Sequence, residues 1–426
     1  MSLRPYLDIL RQSDLVVDIS EEVNPDYEIS KHLQTNPSKA VLFSHVKGSN
    51  FPLLGNSISS RDQLNLVLNE PEDYYTFFQQ SLRSPQVPTL TDSSLTFQNK
   101  EQVNLSTLPI PKFFPVDGGR YLTAGIVFAH YPNTDIPNLS IHRIMILDDQ
   151  RGVIRIVPRN LHKIFSENKE QDLDTPIALV LGYHPILALA SSTPIPSGSS
   201  ELVIANSLMR GNLTVTKTPR NNILVPSDVE FVLEGKILAD QEVPEGPFVD
   251  ITGTPDDIRD QPVIQFEDIY YRDQPIFQTI LPAFEEHFIL MGFPREVAIH
   301  NLVSKVVPKV HGVYLTPSGC GWLNAVISIT SHSDIDANKV GLAAFEAHPS
   351  LKWVTVVDED INIRDEKEVQ WARITRAGAN DITVLDNMKG SSLDPSRRKD
   401  DNTSIKVIVD ATKKRGKTGY ERVIEG

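Results

Sequence analysis

At 426 residues the chain is too long for one ordinary hydrophobic core and implies two or three domains of roughly 100–200 residues each. Its 40% apolar and 23% charged residues describe a globular protein, and 41 Lys+Arg against 55 Asp+Glu leave a formal charge of −14. That balance argues against general binding to nucleic acid or anionic membranes, and the single cysteine, Cys320, rules out a disulfide framework, zinc ribbon or iron–sulfur cluster within one chain.

The N-terminal Met1-Ser2-Leu3-Arg4-Pro5 lacks the charged and apolar regions of a secretory signal. The most apolar stretch, 176–190, is interrupted by Gly182, Tyr183, His184 and Pro185 and falls short of the ~20 residues of a membrane helix. The expectation is a cytoplasmic protein without an anchor.

Residues 1–105 mix helix-like segments (5–12, 71–82) with a strand-like one (40–43), an N-terminal α/β portion. The proline-studded 108–115 reads as a linker or an edge segment. Region 106–295 is β-rich, with short apolar runs at 125–130, 141–147, 153–157, 229–233, 263–271 and 276–281 and one helical candidate at 200–209. Arg272-Asp273-Gln274-Pro275 reads as a hairpin loop between the last two runs. This order suggests a barrel-like antiparallel domain. In 296–426 helices (296–307, 336–347, 366–376) alternate with strands (325–329, 353–357, 382–385), which suggests an α/β layer domain. Residues 397–417 carry eight basic and three acidic residues, a solvated or interface tail or else a phosphate site.

Consensus dinucleotide, P-loop, zincin and nucleophile-elbow motifs are absent. Two segments stand out instead. After Pro137, strand alternation puts Asn138, Ser140 and His142 on one face and Leu139, Ile141 and Arg143 on the other. An arginine sharing a face with Leu139, Ile141 and Met145 needs a buried anion, either a structural partner or a functional one. In Glu242–Asp250, Glu245 and Asp250 flank a Gly-Pro turn. Such a loop holds one carboxylate against an arginine while the other sits drier and suits general-acid work; a solvated acidic turn is the plainer alternative.

Together these segments resemble the UbiD family of prenylated-FMN-dependent (de)carboxylases. Asn138…Arg143 is similar to its N-x-x-x-x-R strand, Thr193-Pro194-Ile195-Pro196…Ser200-Glu201 to its T-P-x-P…S-E element, and Val225-Pro226 with 230–235 to its V-P…E-[IF]-V-L-E-G strand. Glu245-Gly246-Pro247-Phe248-Val249-Asp250…Gly253, 358–365 and Asp410-Ala411-Thr412-Lys413-Lys414 follow as its active-site loop and two C-terminal elements. Six elements in the family's order carry the likeness. Cys320 falls in a segment resembling the family's structural G-C element.

The resemblance implies an N-terminal α/β portion, a central split β-barrel that binds flavin, and a C-terminal α/β domain that mediates dimers or hexamers. It implies prenylated FMN, a divalent metal, usually manganese, with K+ as a further candidate ion, and a flavin prenyltransferase as cofactor supplier. Asn138 and Glu201 fall on the metal-ligand positions, and Arg143, Glu245 and Asp250 on the catalytic ones. Ser140, Ile141, His142, Arg143, Arg155, Ile156 and Val157 would cradle the flavin, with Lys414 (or Lys413) at its phosphate. The family's third metal-site residue is a histidine. Here that position falls on Arg159, with Asn160 and His162 as the other choices. The chain's shortness, Asp117–Thr123 and the Arg155…Arg159 segment resemble an archaeal subgroup that acts on trans-anhydromevalonate 5-phosphate, yielding isopentenyl phosphate for isoprenoid biosynthesis. An aromatic or polyprenylated benzoate decarboxylase and a non-catalytic flavin-binding protein are the alternatives.

Overall fold

The computed structural model describes residues 2–69, 73–331, 333, 335–414, 416 and 418–420. The chain divides into two compact units, 1–250 with 255–290, and 251–254 with 291–426.

In the first unit, Val16–Val23 pairs in parallel with Ala40–Val46 across the helix Glu28–Thr35, and Leu53–Gly55 and Phe277–Gln278 complete a four-stranded sheet. A parallel pair needs such a crossover because a tight turn can join only antiparallel strands. The helix Leu3–Gln12 buries Leu3, Tyr6, Leu7 and Leu10, residues spaced three and four apart. The central element is a curled nine-stranded sheet. Its strands run Tyr121–Leu122, Ile144–Ile146, Arg151–Ile154, Arg259–Tyr271, Phe231–Glu245, Thr175–Leu181, Ile126–His130 and Pro137–Ile141, with Asn99–Gln102 beside Arg259–Tyr271. Thr175–Leu181 is buried at every position but Pro176, as expected of a strand covered on both faces.

The second unit has a five-stranded sheet in the order Lys309–Leu315, Asn324–Thr330, Trp353–Asp358, Thr403–Asp410, Ile382–Lys389. Alternation sends Ile327 and Val356 into one core with the helix Asp336–Ala347, and Val326 and Val357 into another with the helix Glu366–Arg376. The helix Asp336–Ala347 approaches the sheet at Gly341, where a Cβ would lie 2.4 Å from Ile408 Cδ1.

Several expectations are corrected. Residues 397–417 are not a tail: Thr403–Asp410 is an interior strand whose Ile405-Lys406 pair hid its apolar pattern. Arg415 and Lys417 of that stretch, and Pro71 of the expected helix 71–82 (found as Tyr74–Arg83), lie outside the described residues. Arg272–Pro275 does not close a hairpin, because Phe277–Gln278 pairs with Leu53–Leu54 in the other sheet. Helices Asn160–Lys169 and Pro185–Ser191 add to the one expected in the β-rich region. The helix expected at 296–307 is Glu285–Val303, which carries Pro294 in its interior and runs through the expected 295/296 boundary. Segment 108–115 buries Leu108, Ile110 and Phe113 and is an edge segment, bridged to Asp26 through Lys112.

Candidate active site

The hairpin of Ile126–His130 and Pro137–Ile141 sets Asn138 opposite Ala129 and Ser140 opposite Val127. Leu139, on the far face, is fully buried. Ser200 caps the helix Glu201–Leu208, accepting from the Leu202 N–H, and so places Glu201 in the first turn. Glu201 is 3% exposed. Its Oε1 accepts from Asn138 Nδ2 at 2.9 Å and its Oε2 from the Leu139 N–H at 2.7 Å. Both donors are neutral, so burial pushes its carboxyl up to about 8. Along the same face, His142 Nε2 lies 2.8 Å from Ser140 Oγ and Nδ1 lies 2.8 Å from the Arg155 carbonyl. Burial pulls this imidazole down to about 4.

The other end of the segment is charged. Glu245 pairs with Arg259 in the ladder of the two long strands, and beyond it Phe248–Val249 folds onto Pro255–Asp256. This ribbon gathers three acids around Arg143. Arg143 Nε and Nη2 donate to the two oxygens of Glu245 at 3.0 and 2.9 Å, Nη1 to Asp250 at 2.6 Å, and Nη2 also to Asp256 at 2.9 Å. The Arg143 side chain is 8% exposed, Glu245 0% and Asp250 20%. The arginine therefore holds both loop carboxylates, Glu245 the drier of the two, where the loop reading set the drier one apart from it. A buried guanidinium needs its full countercharge where water cannot supply it. The neighbouring carboxylates raise the Arg143 pKa against the opposing effect of burial.

Four further groups complete this site. Tyr121 Oη donates to Glu245 Oε1 at 3.3 Å, and its ring packs against Phe248, which lies under the Arg143 guanidinium. Asp256 also accepts both contacts of Arg259 Nη1 at 2.8 Å. His287 Nδ1 accepts the Ala283 N–H, and its pKa is lowered by burial, raised by Asp250 and lowered by Arg143. The 116–119 turn packs on the loop at Gly118, where a Cβ would meet the Gly246 carbonyl at 2.3 Å, while Asp117 accepts from the Val249 and Phe114 N–H groups. The sequence reading quoted Asp117–Thr123 and Phe248 only within resembling segments and missed Asp256 and His287, whose signals are short: a two-residue strand at Asp256 and a helix start at His287 obscured by Gly292 and Pro294.

The remaining expected residues are placed as follows. Ser140, Ile141, His142 and Arg143 run beside Arg155, whose N–H donates to the Arg143 carbonyl, and Ile156, whose N–H donates to Gln261; Val157 is exposed. Arg159 is exposed at the start of the helix Asn160–Lys169 and has no ion-pair partner among the described residues. His162 is exposed on that helix beside Ser166, away from Asn138 in its contacts. Lys414, in the second unit, is held by Asp381 at 2.9 Å and Asp410 at 3.2 Å, and Lys413 by Asp360 at 2.9 Å. Among the described residues no helix is long and apolar enough to cross a membrane.

Fold and site together define a UbiD-class enzyme architecture. The UbiD-class enzyme HmfF from Pelotomaculum thermopropionicum, in complex with FMN, matches all of this chain and 97% of its own with a TM-score of 0.96 at 33% identity. Models of the 3-octaprenyl-4-hydroxybenzoate carboxy-lyase N-terminal, Rift-related and C-terminal domains match residues 7–80, 89–284 and 288–411. The chain belongs to this UbiD carboxy-lyase family. Relatives called anhydromevalonate phosphate decarboxylase include those of Methanosarcina mazei, 39% identical over 100% of this chain and 99% of its own, and Methanothermobacter thermautotrophicus, 38% identical over 96% of both.

Proposed function

We propose that the protein decarboxylates trans-anhydromevalonate 5-phosphate to isopentenyl phosphate and CO2, with prenylated FMN as cofactor and Mn2+ or another hard divalent cation beside it. The observation that carries this is the Arg143 guanidinium, held through Nε and Nη2 by both oxygens of Glu245, with Nη1 bonded to the partly exposed Asp250. Near end-to-end likeness to the archaeal decarboxylases favours this substrate over a benzoate, as does Arg159, exposed and without an ion-pair partner among the described residues, a cation suited to a phosphate.

The donor chemistry fits the implied groups. Glu201 is a buried carboxyl with no ion-pair partner among the described residues, and Asn138 and Glu201 carry oxygen donors of the kind hard cations take. Ser140–Arg143 and Arg155–Val157 would hold the flavin. When bound, the prenylated flavin supplies the electron sink that lets the carboxylate leave.

The chain's own residues do the rest. The incoming carboxylate displaces Asp250 from Arg143 Nη1, while Glu245 keeps the guanidinium in place. Asp250, freed from its cation, takes up a proton and delivers it to the carbon that CO2 leaves. His287, electrostatically linked to Asp250, is placed to tune that exchange. K+ as a second ion, a flavin prenyltransferase as supplier, a homo-oligomeric dimer or hexamer and a cytoplasmic setting complete the proposal.

The test is substrate choice. Protein co-expressed with a flavin prenyltransferase is incubated with trans-anhydromevalonate 5-phosphate or with a polyprenylated hydroxybenzoate, and CO2 and product are measured. Isopentenyl phosphate and CO2 in equal amounts from the first acid alone are expected. Turnover of the benzoate alone would replace the substrate assignment, and a cofactor-loaded protein inert toward both would favour a flavin-binding protein.

A further inference from the structure

Arg143 meets a third acid that an exchange at Asp250 leaves in place. The pairing of Phe248 with Asp256 carries Asp256 to the guanidinium, where its Oδ2 accepts from Arg143 Nη2 at 2.9 Å. Both Asp256 oxygens also accept from Arg259 Nη1 at 2.8 Å, and Oδ1 takes the Asp257 N–H at 2.9 Å. Arg155 Nε lies 3.8 Å away. Burial works to raise the Asp256 carboxyl, but the hydrogen bonds and charges of Arg259 and Arg143 outweigh it and hold the group below the usual carboxylate range. Asp256 is thus an anion fixed by two arginines.

A guanidinium has five N–H groups, one on Nε and two on each Nη. In Arg143 the Nε–H goes to Glu245 Oε1, and the two of Nη2 go to Glu245 Oε2 and Asp256 Oδ2. Nη1 gives one of its two to Asp250. Two parallel N–H bonds can grip a carboxylate only along the Nε–Nη2 edge or the Nη1–Nη2 edge. Both edges need Nη2, and Nη2 is saturated. A carboxylate that takes the place of Asp250 therefore meets Nη1 alone.

We infer that Asp256 is a positioning residue that saturates Arg143 Nη2 and so restricts the substrate carboxylate to a single-nitrogen contact at Nη1. The inference rests on the carboxylate exchange proposed above. A carboxylate leaves as neutral CO2, and its negative charge passes to the carbon it leaves as the C–C bond breaks. Each bond that Arg143 makes to the departing group therefore weakens toward the transition state. A two-nitrogen grip would stabilise the bound acid more than the transition state and slow the reaction. Asp256 keeps that grip from forming while Glu245 holds the guanidinium in place.

The experiment compares wild type with Asp256→Ala and Asp256→Asn. Binding of trans-anhydromevalonate 5-phosphate is measured by calorimetry on FMN-loaded protein, and kcat and KM by CO2 release after co-expression with a flavin prenyltransferase. Asp256→Ala opens Nη2 and should bind the acid at least about tenfold tighter, the size of one charge-assisted hydrogen bond. Its kcat should fall by a similar factor, with kcat/KM kept within about threefold. Asp256→Asn keeps an acceptor on Nη2 and should shift less, in the same direction; Asp256→Ser replaces the alanine variant if melting curves show that one unfolded. Equal shifts in the alanine and asparagine variants would make charge alone responsible, and weaker binding with a lower kcat/KM would make Asp256 a structural support. Either result overturns the role of Asp256 and leaves decarboxylation standing. A wild-type protein that binds the acid no better than Arg143→Gln does, or releases no CO2 from it, would overturn the carboxylate exchange itself.

Discussion

At one end of segment 138–143, Arg143 is ringed by Glu245, Asp250 and Asp256; at the other, Glu201 is buried against two neutral donors. Both ends carry a buried carboxyl group, and ionising either without a countercharge costs several kcal/mol of desolvation. The first cluster supplies its own countercharge and stands complete. The second has none among the described residues, and burial pushes its carboxyl up to about 8. The contrast separates a charge-compensated cluster from an uncompensated one.

That contrast can be broken most forcefully at Arg143. Arg143→Ala leaves Glu245 fully buried without its cation, and denaturant titration should show a loss of about 3–5 kcal/mol together with loss of turnover. Adding Glu245→Gln to that variant should recover much of the stability but no activity. Recovery of nothing would mean that the cluster is not self-compensating.

Glu286 sharpens the comparison as a third buried carboxylate. It accepts from Ser57 Oγ at 2.6 Å and the Ile58 N–H, and burial raises its carboxyl from 4.5 to about 7. Folded Glu286 keeps its proton to about pH 7, whereas an unfolded glutamate loses it near 4.5. The folded state is favoured below that lower value, and the advantage, at most about 3 kcal/mol, is lost as pH rises through 7. Thermal melts between about pH 5 and about pH 8 should show this decline, and Glu286→Gln should flatten it. An unchanged slope in the variant would contradict the assignment.

The smallest effect is expected at Tyr121. Tyr121→Phe removes one hydrogen bond to Glu245 while Arg143 still holds that carboxylate on two edges, so stability should fall by about 1 kcal/mol, with turnover kept within a few-fold. A larger loss of turnover would give the Tyr121 hydroxyl a part in the chemistry.

The legibility of these regions in the sequence followed the range of the interactions. Asn138, Ser140 and His142 sharing one face follows from period-two alternation alone, and the buried position of Arg143 from its apolar neighbours on the other face. Asp336–Ala347 and Glu366–Arg376 were readable because helical periodicity is local, with the Asp365 cap marking the start of the second. Asp256 was not, since it joins Arg143 only through the pairing of Phe248 with Asp256, a register no local pattern encodes. Thr403–Asp410 was hidden because Lys406 is buried with its ammonium on the Pro349 and Leu351 carbonyls, so a charged residue sits where the pattern calls for an apolar one. Glu285–Val303 was read short because Gly292 and Pro294, residue types that usually end helices, lie in its interior.

The central claim is that Asp250 exchanges its place on Arg143 for the substrate carboxylate and then supplies the proton. The most direct measurement compares wild type with Asp250→Asn, both co-expressed with a flavin prenyltransferase, by cofactor absorption spectrum and by CO2 release from trans-anhydromevalonate 5-phosphate. The account predicts the same bound-cofactor spectrum in both and a loss of CO2 release of about 10²–10⁴-fold in the variant. An Asp250→Asn protein that keeps its cofactor and decarboxylates at the wild-type rate would contradict it.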